Sequence, residues 1–351
     1  MDIKELLAEA IETGVSDFFV VVGRPISVRK NGILETLNNE RVIPAMSKEL
    51  LEQIYDLAGR DIGLLYDDGD DDFSFAIPGM SRFRVNAFKQ RGTLSAVIRI
   101  ITFDLPDPDE LGIPKYVIDS VNTNKGMILV TGPAGCGKST TLACMIDAIN
   151  TNYSKHIITL EDPVEYLHRH KKSIVTQREI GVDTDSYVKA LRASLRQSPD
   201  VILLGEMRDY ETINVAMTAA ETGHLLLSTL HTLGAANSID RIIDVFPANQ
   251  QRQIAVQLSM VLNMVISQQL VPGVDGGMVL AMEIMTVNPA IRNMIRENKV
   301  PQIEGVVYSS NKDGIISMDQ SLLNLYQQKR ITAETALIYA TNPEMLERKL
   351  R

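Results

Sequence analysis

Eight residues in a row, Gly132-Pro133-Ala134-Gly135-Cys136-Gly137-Lys138-Ser139, match the pattern G-x-x-x-x-G-K-[ST] and come directly after the apolar run Met127 to Thr131. A strand has to deliver such a loop and a helix has to leave it. The glycines let the main chain curl until successive N–H groups point inward, and the following helix presents its positive end to the same place. What fits there is a polyphosphate. Lys138 is placed to reach β and γ phosphates, the Ser139 hydroxyl can ligate Mg²⁺, and Thr140 continues the helix start. ATP and Mg²⁺ are therefore the expected ligands.

Further apolar runs at 156–160, 201–204 and 225–229 alternate with helical stretches, the pattern of a parallel sheet covered by helices. Ligands of open α/β sheets bind beyond the C-terminal ends of the strands, so the residues that follow each run matter most. After 201–204 comes Gly205-Glu206, with glycine where many such ATPases place an aspartate, which leaves Glu206 to serve the magnesium shell. After 156–160 come Glu161, Asp162 and Glu165, carboxylates whose mutual repulsion is costly without a cation. One of them could orient and deprotonate an attacking water, and the residues alone leave the choice open. His231 follows the third run and could hydrogen-bond a γ-phosphate, whereas His224 precedes it and reads as a structural contact. His168 and His170 are expected in a strand, without clustered partners, which argues against a metal site.

Ahead of this core, Leu6, Leu7, Ala10 and Ile11 form a helical stripe that Gly14 can stop. The segment lacks a basic start and reads as an amphipathic helix, not a signal peptide. Strand-like runs at 18–22, 27–29, 73–77, 83–88 and 94–100 alternate with turn signals such as Asn31-Gly32 and Pro78-Gly79, predicting a small α+β domain with a largely antiparallel sheet. Residues 67–72, DDGDDD, lack the rest of a calcium-loop spacing and read as a solvated acidic turn. Arg82 and Arg84 share one strand face and Arg99 lies on another strand; they form either a solvated face or a set of phosphate-neutralising cations. Residues 104–114, DLPDPDELGIP, have the composition of an extended connection. The expected organisation is thus 1–103, a linker at 104–114, a nucleotide-binding core at 115–288 and a helical region at 289–351.

Composition narrows the classes. With 351 residues, 45% apolar and 23% charged, the chain can build two packed domains. Lys plus Arg is 35 against 44 Asp plus Glu, a net −9, opposite to the footprint of a sequence-independent nucleic-acid binder, so no nucleic-acid partner is expected. Cys136 and Cys144, the two cysteines, are too few for a zinc ribbon and suit a reducing compartment. The apolar runs are too short to span a membrane, which points to a cytosolic protein that meets a membrane through partners. Cys136, in an electropositive loop, is expected to be a reactive thiol that bound ATP protects.

Taken in order, GPAGCGKSTT, TLEDPVEY, LLGEMRD and TAAETGHLLLSTLHT resemble the Walker A, Asp box, atypical Walker B and His box of the secretion ATPase superfamily. RFRVNAF at 82–88, the methionine of GEMRD, AIRNMIRE at 290–297, MDQSLLNLY and YATNPE are similar to the type IV pilus retraction ATPases, the PilT family. That resemblance implies a homohexameric ring in which a PAS-like N-terminal domain and a RecA-like ATPase core clamp ATP between neighbouring subunits. It assigns residues 132–140 to ATP, Glu165 to the catalytic base, Glu206 to Walker B with Mg²⁺ held through water, and His231 to the His box. Arginine fingers come from the first domain, with Arg82, Arg84 and Arg99 as candidates. The Ala290–Glu297 helix would serve retraction without serving hydrolysis, at a partner or domain interface. Implied partners are the inner-membrane platform protein and the pilus base, met at the cytoplasmic face. An assembly or export ATPase of the same superfamily commonly carries a four-cysteine zinc element, which two cysteines cannot supply. Departures from the family pattern are Ser16-Asp17-Phe18-Phe19 where SDLH is usual, and Ala134 and Cys136 where Thr and Ser are commoner.

Overall fold

The computed structural model describes residues 2–30, 33–101, 105–310 and 314–350. The chain divides into two compact units, Met1–Asp104 with Glu165–Leu167, and Leu105–Val164 with His168–Arg351. The expected Asn31-Gly32 turn and the exact 103/104 limit lie outside the described residues.

The first unit runs α1 (Ile3–Glu12), β1 (Asp17–Val20), β2 (Pro25–Lys30), β3 (Ile33–Arg41), α2 (Pro44–Ala58), α3 (Gly63–Asp68), β4 (Asp70–Ile77), β5 (Ser81–Gln90) and β6 (Thr93–Ile101). Asp2 caps α1 by accepting from the Lys4 N–H at 2.7 Å, and the helix buries Ile3, Leu7 and Ala10. The strands form one antiparallel sheet in the order β3-β2-β1-β6-β5-β4. Phe18, Val28, Ile98, Phe83 and Val85 point to its core face and pack with Leu50, Leu51 and Ile54 of α2. Burying each such side chain stabilises the fold by roughly 1.5–3 kcal/mol.

The 67–72 stretch is not a solvated turn: residues 70–72 open β4, a sheet-edge strand. Asp71 is buried and accepts from Arg60 Nε and Nη2 at 2.8 and 2.7 Å and from the Tyr55 hydroxyl at 2.9 Å, while Asp72 pairs with Arg84 at 2.7 Å. Consecutive acids on a strand point to opposite faces and reach different cations, Arg60 after α2 and Arg84 on β5, which composition alone does not reveal. Nor did periodicity indicate β3, whose side chains are mostly exposed.

The second unit contains α4 (Pro108–Leu111), α5 (Lys115–Asp119), β7 (Gly126–Thr131), α6 (Lys138–Asn152), β8 (His156–Glu161), β9 (Ile174–Glu179), α7 (Tyr187–Ser194), β10 (Val201–Leu204), α8 (Tyr210–Glu221) and β11 (Leu225–Leu230). It continues with α9 (Ala235–Asp244), α10 (Ala248–Val261), β12 (Leu262–Pro272), β13 (Met278–Thr286), α11 (Pro289–Arg296), α12 (Pro301–Ser309), β14 (Ile315–Ile316), α13 (Met318–Gln327), α14 (Ala333–Tyr339) and α15 (Pro343–Leu350). Its sheet has the order β14-β13-β12-β7-β11-β10-β8-β9. From β12 to β9 neighbouring strands are parallel, and β13 and β14 add an antiparallel margin. β7, β10 and β11 are buried along their whole length, as a strand covered by helices on both faces requires.

The proline-rich stretch is not a free connection. Residues 108–111 are helical, Ile113 is buried in the core beside α6, and the Pro106 carbonyl accepts the Cys144 thiol at 3.5 Å. Residues from 289 onward are mostly helical as expected, but β14 ties them into the same sheet. Among the described residues no helix is long and apolar enough to cross a membrane.

Candidate nucleotide-binding and active site

The parallel register decides which side chains meet. Thr131, the last residue of β7, is level with Leu230 of β11; Leu204 of β10 is level with Ser228 of β11 and Leu160 of β8. The phosphate loop, His231, Glu206 and the Glu161-Asp162 pair therefore leave the sheet along one edge, the C-terminal edge where open α/β sheets bind ligands.

At the loop, Gly132 has φ 136°, and a Cβ there would stand 2.3 Å from the Gln268 carbonyl oxygen and 2.7 Å from Cys136 Sγ. Only glycine can occupy that position. Gly135 and Gly137 also have positive φ, at 76° and 86°, and Gly137 starts α6, so Lys138, Ser139 and Thr140 occupy its first turn. Lys138 is buried, with its ammonium donating to the carbonyls of Gly132 and Pro133 at 3.0 and 2.9 Å. An ammonium has three N–H groups, and these two bonds stretch it across the mouth of the loop formed by Gly132 to Gly137. Gln268, fully buried on β12 behind the loop, donates to Thr141 Oγ1 at 2.8 Å and anchors the start of α6.

Cys136 is not the accessible thiol that was expected. It is 2% exposed, and burial, the largest influence, pushes its thiol up despite the opposing charge of Lys138. Cys144 is equally enclosed and pushed up to about 11 by burial, with Asp147 and Asp107 adding to the shift.

Glu206 is mostly enclosed, with Oε2 2.6 Å from Arg208 Nε and 3.3 Å from His231 Nε2. Thr229 Oγ1 donates to the Gly205 carbonyl at 2.6 Å, and the Met207 N–H donates to the Thr229 carbonyl, so the chain turns sharply after β10. Gly205 has a steric cause that the sequence did not reveal. A Cβ there would lie 2.8 Å from the Tyr187 phenolic oxygen and 3.2 Å from the Leu160 carbonyl. Tyr187 thus fills the space that an aspartate side chain would need. Burial, and then the charges of Glu206, Asp162 and Glu161, push its phenol far above the ordinary tyrosine range, so it stays a neutral O–H.

Glu161 accepts from Thr159 Oγ1 at 2.6 Å and from Gln177 Nε2 at 3.4 Å, and so serves the β8–β9 boundary. Val164 is fixed by its N–H donating to buried Glu179 at 3.1 Å, and Glu165 next to it is exposed. His224 bonds the Ala219 carbonyl through Nδ1 at 2.9 Å, the structural contact expected. His168 and His170 lie in irregular chain, not in a strand. His170 Nδ1 accepts the Val175 N–H, and burial holds the His168 imidazole down to about 4 and therefore neutral.

Arg82, Arg84 and Arg99, like Glu165, group with the first unit, whereas Lys138, Glu206 and His231 belong to the second. Within the first unit the arginines share one sheet face. Arg84 is the Cα partner of Arg99 across β5–β6, Arg99 is the partner of Asp17 across β6–β1, and Arg82 lies two residues along on the same face as Arg84. Asp17 holds Arg99 at 3.0 Å, and Asp72 holds Arg84.

The model of the Type II/IV secretion system protein family matches residues 1–349. The type IV pilus retractation ATPase PilT of Pseudomonas aeruginosa is 44% identical over 345 residues, covering 98% of this chain and 99% of that protein. The twitching motility protein of Neisseria gonorrhoeae is 43% identical over 344 residues, covering 97% and 91%. A crystal structure described as the pilus retraction motor PilT with bound ADP has a TM-score of 0.90 at 46% identity, with 99% of each chain covered. A phosphate loop on β7, an atypical Walker B on β10, a His box on β11 and a match of this extent agree: the chain belongs to the Type II/IV secretion system protein family, on the branch that holds the PilT proteins.

Proposed function

We propose that this chain is a motor ATPase that hydrolyses ATP to ADP and phosphate and drives type IV pilus retraction. The observation that carries this reading is the single sheet edge where the loop of Lys138, the Glu206 carboxylate and the His231 imidazole converge, in a chain similar over its whole length to PilT. The main-chain N–H groups of residues 132–140 and the Lys138 ammonium bind the phosphates and neutralise charge that develops on transfer. Ser139 and Glu206 supply a hydroxyl and a carboxylate, hard oxygen donors suited to Mg²⁺, which when bound neutralises the β and γ phosphate oxygens. Glu165 takes the proton of the attacking water, and His231 donates to the γ-phosphate while Glu206 holds its ring. Arg82, Arg84 and Arg99 act toward a nucleotide held by another copy of the chain, a role supported by their grouping on one sheet face.

In this reading the working form is a homohexamer at the cytoplasmic face of the inner membrane, engaging the platform protein and the pilus base. Complementation tests it. The gene is returned to a twitching-deficient strain lacking its own retraction ATPase, as wild type and as Glu165→Gln. Restored twitching by wild type alone supports the function; equal motility from both variants, or from neither with wild-type protein present and folded, counts against it.

A further inference from the structure

The loop that carries His231 is held by a short row of side chains across three strands. Thr131, Ser267 and Glu283 are successive Cα partners on β7, β12 and β13. Ser267 Oγ accepts the Gly234 N–H at 2.8 Å, and Glu283 Oε1 accepts the next one, Ala235 N–H, at 2.7 Å. Thr131 joins through Ser238, whose hydroxyl lies 3.4 Å from Thr131 Oγ1 and 2.7 Å from Thr232 Oγ1. Three neighbouring residues of the sheet therefore grip the segment immediately after His231, and the first of them also delivers the phosphate loop.

Glu283 does more than its neighbours. Ala235 opens α9, whose N-cap is Gly234 and offers no side-chain acceptor. Met318, the first residue of α13, sets its N–H toward the same carboxylate and favours the charged form. One half-buried acid thus caps the helix leaving the His231 loop and borders the start of a C-terminal helix, α13, whose own N-cap Ser317 accepts the Gln320 N–H at 3.3 Å. Two helix N-termini favour the negative charge there and offset part of its burial. A cavity of about 550 Å³ borders Glu283 between Gly234 and Met318, which leaves this joint room to shift without unpacking the sheet.

We propose that Glu283 is the positioning residue of the His231 loop, fixing it against the C-terminal helices so that His231 stays within reach of Glu206. The proposal rests on the catalytic role given to His231 above. Gln at 283 removes the charge that the start of α9 favours and replaces one oxygen with an amide N–H₂, so its hold on the Ala235 N–H is weaker. Turnover of Mg-ATP is measured for wild type, Glu283→Gln, His231→Ala and the double variant, with melting temperatures to confirm folding. The expected result is a kcat loss of about 10-fold in Glu283→Gln, KM within about twofold, and no further loss when it is added to His231→Ala. If His231→Ala is slow but the two losses multiply, or Glu283→Gln keeps full kcat, the positioning role is overturned and the role of His231 stands. If His231→Ala turns over at the wild-type rate, the role of His231 falls and takes this proposal with it. Ser267→Ala, which removes the adjacent acceptor and keeps the carboxylate, gives the same readout in milder form if Glu283→Gln does not fold.

Discussion

The phenolic oxygen of Tyr187 stands 2.8 Å from where a Cβ on Gly205 would have to be. The missing aspartate of this Walker B strand and a tyrosine 18 positions earlier are two sides of one packing solution. Gly205→Ala should destabilise the fold by roughly 1–3 kcal/mol through overpacking and reduce turnover by moving Glu206. Tyr187→Phe removes the obstructing oxygen, so adding it to Gly205→Ala should recover part of both losses. Chemical denaturation and steady-state turnover of the two single variants and the double variant check this; absence of any recovery would show that the Leu160 carbonyl alone sets the limit.

Cys136 and Cys144 should resist alkylation. Both are buried and their thiols are pushed up, so little thiolate is present near neutral pH. N-ethylmaleimide followed by mass spectrometry should show slow labelling of the folded protein, unchanged by ATP, and complete labelling in urea. Rapid labelling of Cys136 that ATP prevents would mean that the phosphate loop opens in solution.

Asp71 should contribute to the acid limb of stability. Its carboxyl is held below the ordinary range chiefly by Arg60, against burial and with help from Tyr55. A depressed pKa adds stability that is complete above the unfolded value of roughly 4 and is lost as pH falls through the folded value. Asp71→Asn should cost roughly 1–3 kcal/mol at pH 7 and flatten the decline below about pH 4, measured by urea unfolding across pH. An unchanged acid limb would place the pair outside the stability of this unit.

Arg292 lies in the AIRNMIRE helix but turns back onto its own core. Its guanidinium donates to the carbonyls of Ser259 and Met260 at the C-terminal end of α10 and of Leu262, its C-cap. Those carbonyls lack helical partners, and a cation there is worth up to about 2 kcal/mol. Arg292→Ala should lower the melting temperature by a few degrees, keep near-normal turnover and abolish twitching, because α11 loses its fixed seat while the phosphate site keeps its own. Collapse of purified turnover would place this helix within the catalytic machinery.

Strands β7, β8, β10 and β11 were legible because each is an apolar run that ends at or just before a chemically marked residue: Gly132, Glu161, Glu206 and His231. β12 was not, because Ser267, Gln268 and Gln269 interrupt its apolar pattern although all three are buried in the sheet. Their hydrogen bonds run to Gly234, Thr141 and Tyr339, which lie 33, 127 and 70 positions away, and no local pattern records that. The same holds for Glu283, whose partner Ala235 lies 48 positions off. The arginines could be placed on strands, but the Arg84–Arg99 adjacency needed the sheet register. The acidic stretch and the proline-rich stretch misled for one reason: composition describes affinity for water, and long-range partners for Asp71 and Ile113 outweighed it.

Phosphate release from Mg-ATP by the purified wild-type chain and by Lys138→Ala tests the account most directly. The wild type should turn over ATP only with Mg²⁺, and Lys138→Ala should lose at least about 100-fold in turnover while remaining folded, since the ammonium stabilises the transferring phosphoryl group. A folded Lys138→Ala protein that hydrolyses ATP at the wild-type rate would contradict it.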